Sequence, residues 1–218
     1  MPRIALIHAL TESIPPINQA MARDWPEAER QNLLDDTLSA DLARAGRLDA
    51  VMTQRFHTLA DYAVAHGAQG ILFTCSAFGP CIEAVARRHA GMPVLRPNEA
   101  MIDDAQAQAR SRGGAIGLLA TFAPTLQSMP AEFDDSVEVR TAMASGALLA
   151  LQRGDAETHD RLAADAATAL ADQGCRVIAL AQFSLARARQ AVEARTGLTV
   201  LTTVDSAVAR LRERLAGR

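Results

Sequence analysis

One cysteine stands at the end of an apolar run in FTCSAFGP, residues 73–80. Cys75 is followed by Ser76 and Ala77, then by Gly79-Pro80 and a segment of helical period. Proline suits the first position of a helix, where its missing N–H would have no partner anyway. A thiol just before a helix start meets free N–H groups and the positive end of the helix dipole, a field that lowers its pKa. The same groups, with the Ser76 hydroxyl, suit a bound carboxylate. The competing reading is packing, because free cysteine is among the most buried residue types. The strand-end position and the small polar neighbours favour a reactive thiol. Cys81 falls inside the following helix and reads as core. Cys175 opens a strand, about 20 Å of extended chain from Ala181 at its far end, and reads as structural.

The elements that must position Cys75 follow from periodicity. Strand-length apolar runs alternate with segments of helical spacing. Strands are expected at 3–9, 30–35, 70–75, 92–95, 115–121, 136–141, 175–181 and 198–203. Helices are expected at 48–66, 80–90, 97–112, 155–172, 184–195 and 205–216. This alternation predicts an α/β fold of βαβ units with mainly parallel sheets. Ligands bind such sheets outside the carboxyl ends of the strands. Cys75 and Thr121 lie at such ends, and His8 lies close to the end of the first strand.

The chain also echoes itself. GILFTCSAFGPCIEAVARRHAGMPVL (70–95) resembles RVIALAQFSLARARQAVEARTGLTVL (176–201), with Gly91 matching Gly197 at an offset of 106 residues. Any two βαβ units share such a pattern; the sharper reading is a duplicated, two-lobed protein.

Composition bounds the rest. With 218 residues and 49% hydrophobic content, the chain can fill one large core or two small lobes. A net charge of −3, with scattered Lys and Arg, gives no nucleic-acid footprint. No run of about 18 apolar residues suggests a membrane span, and the start, MPRIALIHALTES, does not read as a signal peptide. Three cysteines fit a reducing cytoplasm better than a disulfide framework. The histidines, at 8, 57, 66, 89 and 159, are dispersed and form no HxxxH pair; with no CxxC either, no metal site is expected.

On TCSA, IGLLATFAPT (116–125), VIALAQFSLA and VLTTVDSAV, and on their order, the chain resembles the aspartate/glutamate/hydantoin racemase superfamily, which also includes arylmalonate decarboxylase and maleate isomerase. The opening IHALTESIPPINQAM, with WPEA and NLLDDTLS, looks like other members. The resemblance implies two similar Rossmann-like or flavodoxin-like lobes, pseudo-two-fold related, with the site in the cleft between them. The lobes would be 1–98 plus 205–218, and 99–204. It implies a cofactor-independent isomerase or related lyase, working without pyridoxal phosphate on a small carboxylate. A homodimer is the default for symmetric cytosolic enzymes.

In racemases of the group a cysteine from each lobe flanks the substrate Cα, one removing a proton and the other returning one. The first carries over to Cys75, with Ser76 and Ala77 beside it; the anion-holding threonine carries over to Thr121 and more loosely to Thr125. His8 falls where a polar site residue is common. The second cysteine has no counterpart. The ungapped echo puts Ala181 opposite Cys75, and a one-residue shift puts Gln182 there, followed by Phe183 and Ser184. None of these is a useful base by itself. Three readings stay open: a one-thiol enzyme using Cys75 as acid, base or nucleophile, a racemase whose second base is His8 or Glu12, and a non-catalytic binder of small carboxylates. Phe183 and Leu185 are expected to form an apolar wall beside the site.

Overall fold

The computed structural model describes residues 1–217. The chain divides into two compact units, Met1–Pro97 with Ala207–Arg218, and Asn98–Ser206. Unit one contains β1 (Arg3–His8), α1 (Ile14–Asp24), β2 (Glu29–Leu34), α2 (Leu38–Ala45), α3 (Ala50–Ala65), β3 (Gly70–Phe73), α4 (Gly79–Arg88) and β4 (Val94–Leu95). Unit two contains α5 (Glu99–Arg112), β5 (Ala115–Ala120), α6 (Ala123–Ser128), β6 (Val139–Met143), α7 (Ala147–Gln152), α8 (Ala156–Asp172), β7 (Cys175–Leu180), α9 (Arg189–Thr196) and β8 (Thr199–Thr202). The last helix, α10 (Thr203–Ala216), belongs to unit one from Ala207 on.

Each unit is built on a four-stranded parallel sheet, in the orders β2-β1-β3-β4 and β6-β5-β7-β8. The two orders are the same once β5 is matched to β1. Past their first one or two residues the central strands of unit two are apolar, as a sheet covered on both faces requires: IGLLA of β5 and VIAL of β7 are buried at every position. The edge strands β2 and β6 alternate between exposed and half-buried residues.

The helices bury one stripe each. In α3, capped by Asp49, whose carboxylate accepts from the Met52 N–H at 2.8 Å, the stripe is Met52, Phe56, Ala60 and Ala63. In α8, capped by Asp155 through the Thr158 N–H at 3.0 Å, it is His159, Ala163, Ala167 and Leu170. Gly117 on β5 makes the second packing close, since a Cβ there would lie 3.1 Å from the Leu170 Cβ. Phe56, Phe73 and Phe78 form an aromatic cluster in unit one, with ring centroids 5.3 and 5.0 Å apart.

The structure departs from the sequence expectations in several places, and the short helices α6 and α7 are among the elements not expected. Helices α1 and α2, which were not expected, are short and bury few residues: α1 buries Ile17, Ala20 and Met21 behind two prolines, and α2 buries Leu38. The strand expected at 136–141 lies at Val139–Met143. The helix expected from Pro80 begins at Gly79, after a 3-10 turn over Ser76–Phe78. The helix expected at 184–195 is a 3-10 segment, Phe183–Ala188, followed by α9.

Candidate functional site

In a sheet of order 2-1-3-4 the chain reverses direction of winding between β1 and β3, and a crevice opens at their carboxyl ends. In unit one that edge carries His8 and the Thr74-Cys75-Ser76 segment; in unit two it carries Thr121 and the Ala181-Gln182-Phe183 segment.

The ladders also fix which residues correspond. The Thr74 N–H donates to the Ile7 carbonyl at 3.0 Å, and the Ala181 N–H donates to the Leu119 carbonyl at 2.9 Å. Beyond the β1–β2 and β5–β6 ladders, Asp35 N–H bonds His8 O as Ala144 N–H bonds Ala120 O. Thr74 therefore matches Ala181, and Cys75 matches Gln182, 107 residues on. The backbones agree: Cys75 precedes its 3-10 turn at φ −130°, ψ 122°, and Gln182 precedes its own at φ −138°, ψ 146°. Of the two alignments open in the sequence, the geometry selects the shifted one.

Cys75 is partly exposed, yet protein atoms crowd its sulfur. Burial pushes the thiol above its ordinary value, and the Ala77 backbone N–H offsets only part of that. This corrects the expectation of a lowered thiol. The α-helix starts four residues after Cys75 and is separated from it by the 3-10 turn, so its dipole acts too far away to outweigh desolvation. Ser76 is half-buried and Ala77 is exposed.

His8 is fully buried, and both ring nitrogens are engaged. Its Nε2 lies 3.0 Å from Asn32 Oδ1, which also accepts from Asn18 Nδ2 at 2.9 Å. Its Nδ1 lies 3.0 Å from Thr74 Oγ1. The neutral ring with its proton on Nε2 satisfies all three groups: Nε2–H donates to Asn32 and the Thr74 hydroxyl donates to Nδ1. His8, expected to touch substrate, thus has no free nitrogen for a ligand and instead braces the peptide before Cys75. Desolvation lowers its pKa, against an opposing contribution from the Asn32 hydrogen bond. Below the ordinary value of 6.5 the unfolded chain gains a proton that the folded one resists. Stability is therefore expected to fall as pH drops from 6.5 toward the lowered folded value, and to be indifferent to this group above 6.5. Urea denaturation across that range should show a flatter profile in His8→Gln.

In unit two, Gln182 Oε1 accepts from the Thr121 N–H at 2.6 Å and from its hydroxyl at 2.9 Å. This joins the ends of β5 and β7 and leaves the Gln182 amide Nε2 without a protein acceptor among the described residues. Thr125 sits buried in α6, and Ser184 is buried in the 3-10 segment. Phe183 and Leu185 are buried at 2% and 0% exposure, and Leu185 packs into the core with Ala163, Ala167 and Leu180. The expected apolar wall is therefore core at Leu185. Glu12, the other suggested base, is half-buried in a 3-10 turn and accepts from Thr11 Oγ1 at 3.2 Å.

One group was missed. His159, which the sequence placed among dispersed histidines, is fully buried on α8 with its Nδ1 2.8 Å from Asp160 Oδ1 and its Nε2 unpartnered. The only signal in the sequence was a His-Asp pair one helical turn before an alanine face. Among the described residues, no group of three or more His, Cys, Asp or Glu side chains could hold a metal ion, and no helix is long and apolar enough to cross a membrane.

Comparison with solved structures finds the same architecture. Glutamate racemase from Bacillus anthracis superposes with a TM-score of 0.74 at 12% identity, over 99% of this chain and 82% of that one. Allantoin racemase from Klebsiella pneumoniae gives 0.74 at 18% identity, over 99% and 88%. An aspartate racemase homologue from Pyrococcus horikoshii gives 0.74 at 15% identity, over the whole of both chains. At these identities the likeness establishes the fold. No curated protein sequence matches the chain. The model of the Asp/Glu/Hydantoin racemase family matches residues 11–211, so nearly the whole length carries its pattern, and the chain belongs to that family.

Proposed function

We propose that this family member moves protons at the α-carbon of a small carboxylate, as an isomerase or a related lyase, with Cys75 as its single acting thiol. The observation that carries the reading is the correspondence of Cys75 with Gln182. A thiol can give and take a proton, whereas a carboxamide offers only hydrogen bonds. With its Oε1 held by Thr121, Gln182 can direct N–H donors at charge that builds on a carboxylate in the transition state.

The raised thiol supports a proton-donor role, because S–H is then the resting form. Loss of CO2 from a geminal dicarboxylate, or transfer of an α-proton to the thiolate form of Cys75, leaves an electron pair on the α-carbon delocalised into the remaining carboxylate. Cys75 hands its proton to that carbon, and the thiolate recovers one from water. One thiol can do this from one face only.

The solved neighbours supply a panel: both antipodes of glutamate and aspartate, and allantoin. Monosubstituted malonates extend it to decarboxylation. In deuterium oxide the protein is expected to place deuterium at the α-carbon of a single stereoisomer of at least one panel member or its product. Label in both antipodes would replace this reading with a two-faced racemase. Thermal stabilisation by panel members with no label in any would replace it with a binding protein.

A further inference from the structure

We propose that His159 is a proton acceptor at the carboxyl edge of unit two, oriented by Asp160 and covered by the 3-10 segment Phe183–Ala188. Three independent observations lead there.

The first is the unpaired nitrogen. His159 has 0% exposure and its Nε2 has no hydrogen-bond partner. Proteins seldom leave a buried polar atom unpaired, because its lost hydration is not repaid. His8, equally buried, has partners on both nitrogens.

The second is orientation. Asp160 Oδ1 lies 2.8 Å from His159 Nδ1 and 2.8 Å from Arg187 Nε, and its Oδ2 lies 2.9 Å from a terminal nitrogen of Arg187. Burial alone would raise the Asp160 carboxyl, but the hydrogen bonds from Arg187 and then His159 outweigh it and hold its pKa low. The carboxylate fixes the Nδ1–H tautomer of the neutral ring, and the lone pair is left on Nε2. A proton accepted there would leave its electron pair on the donor, and the imidazolium would be balanced by Asp160.

The third is level. Helix α8 leads from β6 back to the start of β7 and so runs opposite to the strands. Its Leu170 lies against Gly117. Eleven residues back along the helix, about 16 Å at 1.5 Å each, is His159. The same rise along β5 is about five residues and ends near Phe122, beside Thr121. On α9's side, Arg187 ties the segment that follows Gln182 to Asp160. His159 therefore lies beneath the loops of the edge already described, closed off by a short segment that Phe183, Leu185 and Ala188 anchor in the core and that the Arg187–Asp160 ion pair ties to α8.

This deepens the proton-transfer reading by naming a second group, but its test does not depend on knowing the substrate. Diethyl pyrocarbonate acylates unprotonated imidazole nitrogens, and peptide mapping by mass spectrometry reads each histidine separately. In the native protein His159 is expected to react several-fold faster than His8, and Arg187→Ala should accelerate His159 alone. His159 reacting as slowly as His8 in both proteins would overturn the proposal. His159→Asn keeps an N–H toward Asp160 but removes the acceptor. It is expected to lose most α-deuteration of any panel member that the wild type labels, with its melting temperature retained. Full labelling by that variant would equally overturn it. Fast His159 modification in a protein that labels no panel member would uphold the placement of His159 and count against the chemistry proposed above.

Discussion

Cys75→Ala is expected to lower the rate of α-deuteration by about 10²- to 10⁴-fold, the usual contribution of a positioned acid or base. The fold should survive, because Cys75 is only partly buried and the substitution removes a single sulfur, whose contact with the Ala77 N–H is its one tie to the 3-10 turn. Cys75→Ser should be nearly as slow, since a hydroxyl is a far weaker acid than a thiol. The raised thiol adds a second check. Alkylation by iodoacetamide should be slow at neutral pH and should climb past the pH at which a free cysteine levels off. A variant lacking Cys75 that labels substrate at the wild-type rate would remove the thiol from the chemistry. An alkylation profile shifted to low pH would remove the donor role and restore the thiolate first read from the sequence.

Phe78→Ala is expected to cost about 3–5 kcal/mol, the range for deleting a buried aromatic side chain. Phe78 is fully buried and packs on Phe56, which packs in turn on Phe73 at the end of β3. It is also the last residue of the 3-10 turn that follows Cys75, so the same ring anchors the turn and fills the core. Urea denaturation should show the loss, with Phe78→Leu recovering part of it because more of the volume is kept. Faster alkylation of Cys75 should accompany the loss in Phe78→Ala, as the turn loosens and water reaches the sulfur. A cost below about 1 kcal/mol would mean that the cluster relaxes around the gap and that Phe78 is no anchor.

The alternation of apolar strands and amphipathic helices was legible because central strands and α8 or α3 carry their burial in their own spacing. The helices α1 and α2 were not, since each is short and buries few residues, Ile17, Ala20 and Met21 in one and Leu38 in the other. Cys75 could be placed at a strand end from its run alone. Its electrostatics could not, because Gly79-Pro80 signals a helix start without revealing the intervening 3-10 turn. The match of Cys75 to Gln182 needed the hydrogen-bond ladders, since the Gly91–Gly197 alignment is one residue out of step at the strand ends. The roles of His8 and His159 depended on remote segments, Asn32 and Thr74 for one and, acting through Asp160, Arg187 for the other, which spacing does not encode.

Each sheet is closed at its carboxyl edge by a side-chain bond across its two central strands: His8 to Thr74 in one unit, Thr121 to Gln182 in the other. Strand ends normally fray, and a loop that must be ordered when a ligand arrives subtracts that entropy from the affinity. Here the ordering is completed during folding. A small anion, with few atoms to contribute contact, would meet donors already in place, and little of its modest interaction energy would go to freezing the protein.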